Sequence, residues 1–121
     1  MVYVKMIERE YKIIKFQDGI ERLTATFNLK NQEVLSTFLH TDVSQFADWI
    51  KEAFDNVISG ESEYEEISGN ICCAEISPTT TKIYNEMIED EEEYYSTCCE
   101  VDTQELREII AEWCEKSQEL N

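Results

Sequence analysis

The chain has 121 residues, with 27 acidic against 10 basic side chains and a formal charge of −17. Such a length suits one domain spanning residues 1–121, and 42% hydrophobic residues with three Gly and one Pro exclude a low-complexity disordered chain. The charge disfavours direct binding of nucleic acid or anionic membranes, whose phosphates repel such a surface, and points to a basic protein as partner.

Val2, Val4 and Met6 alternate with Tyr3 and Lys5, and the pattern continues through Tyr11, Ile13 and Ile14 to Phe16. This predicts a first strand. Gln17-Asp18-Gly19 forms a turn, because Asp-Gly supplies the positive φ of a tight hairpin. Leu23, Ala25, Phe27 and Leu29 share one face of a second strand over Arg22–Leu29. Lys30-Asn31-Gln32 is the next turn, and Glu33–His40, rich in β-forming residues, is expected as a third strand.

The period then changes. Val43, Phe46, Ala47, Ile50, Ala53, Phe54 and Val57 form an apolar helical stripe. Asp42 stands before it as the expected N-cap, and Ser59-Gly60 ends the helix. Glu61–Ser68 reads as an acidic loop and Gly69-Asn70 as a turn. Asn70–Ser77, Thr79–Ile88 and Tyr94–Val101 are expected strands, with Glu89–Glu93 as an acidic connection. Asp102 and Glu105 have capping spacing. Leu106, Ile109, Ile110, Trp113 and Cys114 form the buried stripe of the last helix.

The expected fold is therefore α+β, with order β-β-β-α-β-β-β-α. One antiparallel sheet would carry both amphipathic helices on one face. The halves share a plan of three strands and a Trp-bearing helix (Trp49, Trp113), without a residue-level repeat. The start, MVYVKMIEREYK, has no apolar signal core, and no run approaches the ~18 apolar residues of a membrane span. A cytoplasmic protein with its five cysteines reduced is expected.

Little points to catalysis. Nucleophilic mechanisms need a histidine within reach of a Ser or Cys. The single histidine, His40, ends a predicted strand just before a helix cap and reads as a surface or capping residue. No carboxylate pair is marked as buried, and Gly19, Gly60 and Gly69 make no phosphate-binding loop. Cys72-Cys73 and Cys98-Cys99 sit on predicted strands, where neighbours point to opposite faces, so neither pair can chelate an ion alone. If their strands were adjacent, one pair could meet the other, but small buried β residues are the simpler expectation. The run Glu89–Glu93 lacks the ligand order of a calcium loop. Neither an enzyme nor a cofactor is expected.

Two acidic patches carry tyrosines in or beside predicted loops, where binding residues concentrate. The first is Glu61, Glu63, Tyr64, Glu65 and Glu66. The second is Glu89, Asp90, Glu91, Glu92 and Glu93 with Tyr94 and Tyr95, beside Glu86. Charges steer encounters and aromatics anchor interfaces, so both are expected partner-binding surfaces.

The stretch EISPTTTKIYNEMIEDEEEYYSTCCEVDTQELREIIAEWCEK resembles the ending of several small bacterial immunity proteins, with strand, acidic turn, strand and a terminal helix of the form D-T-x-E-L-x-x-I-I-x-x-W. The likeness covers Glu75 to Leu120. It implies a cytoplasmic protein that binds a cognate toxin domain of a contact-dependent growth inhibition or other polymorphic toxin system. Many such toxins are basic nucleases, and the immunity protein would cover the active site or a nearby substrate surface. Two alternatives stay open: an acidic nucleic-acid mimic of the anti-restriction or anti-CRISPR type, and a small enzyme or metal-binding protein. Monomer and edge-strand dimer are both compatible with the sequence.

Overall fold

A computed structural model describes residues 7–88, 90, 92, 93 and 97–119. The predicted first hairpin is present, with β1 (Arg9–Lys15) antiparallel to β2 (Glu21–Phe27) and Ile13 opposite Leu23. The expected start at Val2–Met6 lies outside the described residues. At the turn, Gly19 has φ 83° and donates to the Phe16 carbonyl at 2.9 Å, while Asp18 Oδ1 accepts the Ile20 N–H at 2.9 Å. Leu23, Ala25 and Phe27 are buried on one face, as their alternation requires.

The expected third strand is a helix. Residues 32–59 run as α1 (Gln32–Thr37), a π-helical turn (Phe38–Val43) and α2 (Ser44–Ser59). Buried Val34, Leu35, Phe38, Leu39 and Val43 recur every three to four residues, which fits a helix and not a strand. The β-branched threonines fit because Thr37 and Thr41 donate their hydroxyls to the carbonyls of Glu33 and Thr37, at 2.9 and 2.8 Å. Asp42 is consequently not an N-cap. It is fully buried within the helical run, and its carboxylate accepts the N–H groups of Asn70, Ile71 and Cys72 at 2.5, 3.1 and 2.9 Å. Gly60 closes α2 as expected, with φ 88° and its N–H on the Val57 carbonyl.

Among the described residues the second half holds four strands: β3 (Glu65–Ser68), β4 (Cys72–Ile76), β5 (Thr80–Asn85) and β6 (Cys99–Asp102). All neighbours are antiparallel, in the order β3-β4-β5-β6. The second half of the expected Glu61–Ser68 loop is thus an edge strand, anchored by buried Ile67. The expected strand from Tyr94 begins only at Cys99; Tyr94–Ser96 lie outside the described residues. Asp102 caps α3 (Thr103–Glu119), its Oδ2 accepting the Glu105 N–H at 3.0 Å. The order is therefore β-β-α-β-β-β-β-α among the described residues, on two sheets rather than one. The proposed likeness between halves fails because β3 belongs with the second sheet and 33–40 is helical.

Register builds the core in rows. Ile67, Ala74, Ile83 and Cys99 are cross-strand neighbours and all are buried. α2 packs on β3 and β4, α3 on β5 and β6, and the two helices on each other. Phe54, Ile50, Leu106, Ile109 and Ile110 fill the space between, each burial contributing about 1.5–3 kcal/mol. The first hairpin is latched to α3: Arg9 makes a bidentate pair with Glu112 (2.8 and 2.7 Å), and Tyr11 donates to the same carboxylate at 2.7 Å. Glu105 is buried beneath this latch and accepts the Ile7 N–H at 2.6 Å.

A candidate partner-binding surface

The row next to the buried one points the other way, as the two-residue period of a strand demands. It sets Glu66, Glu75, Lys82 and Glu100 side by side across the four strands. Lys82 reaches Glu100 at 3.7 Å. Glu66 directly faces Glu75, a like-charge pairing that costs stability in a sheet. Glu86 extends the acidic surface and accepts the Ser68 hydroxyl at 2.5 Å. Such a face repels phosphates and draws cations.

The first predicted patch converges here. Glu61 and Glu63 are exposed in the connection from α2, Tyr64 is 48% exposed, Glu65 opens β3 and Glu66 lies on the outward row. Tyr64 donates to Glu66 Oε2 at 3.3 Å and Ser62 to Glu65 at 3.2 Å. Desolvation first, then the charges of Glu75 and Glu66, push the Tyr64 phenol up in pKa and keep it a neutral donor.

Phe46 and Trp49 also stand on this surface, unmarked by the charge pattern of the sequence. Phe46 was expected in the buried stripe, yet it is exposed, because its backbone leaves the helical region (φ −125°, ψ 36°) and shifts the phase of the stripe. It meets Trp49, 47% exposed, edge to face at a centroid distance of 6.0 Å. Trp49, Glu52 and Asn56 of α2 face Glu65 and Glu66 of β3 across a groove of about 210 Å³. The available signal was Trp49 itself, off the apolar stripe and flanked by Asp48 and Glu52.

The second predicted patch is built differently. Asp90, Glu92 and Glu93 are exposed, and Asp90 Oδ1 accepts the N–H groups of Glu92 and Glu93 at 3.0 and 3.3 Å. Glu92 and Glu93 are helical, and Asp90 caps them within the expected acidic connection. Glu89, Glu91, Tyr94 and Tyr95 lie outside the described residues.

The cysteine pairs and the histidine are dispersed. β5 separates β4 from β6, so Cys72 and Cys73 are not strand neighbours of Cys98 and Cys99. Burial pushes the thiols of Cys72, Cys73 and Cys99 up to about 12, 11 and 11, with Asp42 adding to the first. His40 sets its ring edge-on against Trp113 at 4.9 Å, and burial, with the charge of Arg22, pushes its pKa down. Among the described residues no three His, Cys, Asp or Glu side chains gather to hold a metal ion, and no helix is long and apolar enough to cross a membrane.

No family model matches the chain, and no solved structure matches it. A protein from Bacillus cereus named immunity protein is 37% identical to it over 88 residues, 73% of each chain.

Proposed function

Because the chain belongs to the family of that Bacillus cereus immunity protein, we propose that it neutralises a cognate toxin domain by covering its active site or substrate surface. The toxin is a basic nuclease of a contact-dependent growth inhibition or related polymorphic toxin system, and capture takes place in the cytoplasm. The observation that carries this reading is the acidic and aromatic surface around β3. Glu61, Glu63, Glu65 and Glu66 stand there with exposed Tyr64, Trp49 and Phe46. Long-range attraction brings a basic partner to this face, and the aromatic rings supply contact area at low entropic cost. Neutralisation by occlusion uses no catalytic side chain. Asp90, Glu92 and Glu93 form a second acidic contact in this proposal.

The test mixes the full chain with any candidate toxin domain encoded beside its gene. Stoichiometric loss of nuclease activity is expected, with an association rate that falls steeply as salt rises. A toxin without nuclease activity, or an association rate insensitive to salt, would overturn the nuclease or the electrostatic part respectively.

A further inference from the structure

Among the described residues β3 is an edge strand, paired with β4 on one side. The Gly69 N–H donates to the Cys72 carbonyl at 3.0 Å, and Ser68 faces Cys73 in the register. Antiparallel pairing alternates between bonded and non-bonded residue pairs. Glu65 and Ile67 therefore spend their backbone groups on β4, and Glu66 and Ser68 turn theirs to the open side. That open side borders the groove whose other wall carries exposed Trp49.

Open edges invite another strand, and native proteins blunt them with charge. Here the charge discriminates between occupants. Two copies paired along β3 would bring Glu65 and Glu66 against the same acids of the other copy, beside Glu52 and Glu63, which disfavours self-pairing. A strand bearing Lys or Arg meets the opposite sign at each of these positions. We propose that β3 is completed by an extended basic segment of the cognate toxin, hydrogen-bonded to the backbone of Glu66 and Ser68, with its side chains against Trp49 and the groove acids. This rests on the toxin-binding reading and specifies its geometry as strand addition.

The test is residue-resolved amide exchange by NMR on the full chain, free and saturated with the toxin domain that the neutralisation assay identifies. In the complex, exchange at Glu66 and Ser68 should slow at least ten-fold. Glu66→Pro, which removes an outward N–H and leaves the β4 ladder intact, should weaken binding at least ten-fold more than Glu66→Gln, which removes only the charge. Toxin binding without protection at Glu66 and Ser68 would overturn strand addition and leave the immunity reading standing. Absence of toxin binding would overturn both. Protection of these amides in the free chain that grows with its concentration would assign the edge to a second copy and overturn the proposal.

Discussion

The carboxylate of Asp42 and the α-carbon of Gly69 are in such close contact that a Cβ on Gly69 would lie 2.6 Å from Oδ1. The aspartate ties the π-helical turn to the β3–β4 connection through three backbone N–H groups. Gly69→Ala should lower unfolding stability by about 2–3 kcal/mol through this clash. Asp42→Ala should cost about 3 kcal/mol or more, since it strips buried amides of their acceptor. Chemical denaturation of both variants checks this; a loss below 1 kcal/mol for either would contradict the tie.

The latch of the first hairpin should fail at both ends of the pH scale. Arg9, and then Tyr11, hold the Glu112 carboxyl below the usual 4.5. Its contribution is complete above that value and is lost as pH falls through the lower folded one. Burial, and then Glu112, push the Tyr11 phenol above its usual 10, so its contribution is full below pH 10 and is lost at higher pH. Amide exchange in β1 and β2 should quicken in both limbs, and Glu112→Gln should abolish the acid limb. Arg9→Ala should cost about 1–2 kcal/mol, reduced because Glu112 is partly open to water.

Thiol labelling should split the cysteines. Cys72, Cys73 and Cys99 are buried with raised pKa, whereas Cys98 and Cys114 are half-buried. At pH 8 a disulfide reagent should modify Cys98 and Cys114 first, with the other three slower by about 100-fold or more because so little thiolate is present. Peptide mapping after partial labelling reads the order.

Substitutions on the β3 surface should separate binding from folding. Trp49→Ala should change stability by no more than about 0.5 kcal/mol, since the side chain is exposed, yet weaken toxin binding by about 2 kcal/mol. Lysines at Glu61, Glu63, Glu65 and Glu66 together should slow association and flatten its salt dependence. The same reversal at Asp90, Glu92 and Glu93, assayed separately, decides whether the second patch takes part.

Where one kind of periodicity acted alone, the sequence was legible. The β1–β2 hairpin follows from alternation around Asp18-Gly19, and α3 follows from its stripe and the Asp102 cap. Residues 33–40 misled because Val34, Thr37 and Phe38 favour strands while their spacing is helical, and tertiary burial decided for spacing. β3 was hidden because a short edge strand buries one residue, Ile67, too few to show a period. In the proposed binding surface, Tyr64, Glu65 and Glu66 stand out by charge and aromatic content. Glu75, Glu100 and Lys82 were not, because only strand register sets them beside Glu66. Phe46 was misplaced because a single non-helical residue shifts the phase of everything around it.

The hydrogen bond from Ile7 to Glu105 and the ion pair from Arg9 to Glu112 join parts of the chain separated by 98 and 103 positions. On the ribosome, the β1–β2 hairpin has no latch until α3 has been made, roughly 5–20 s later at ordinary rates of elongation. A product truncated before α3 would therefore leave the β1–β2 hairpin undocked.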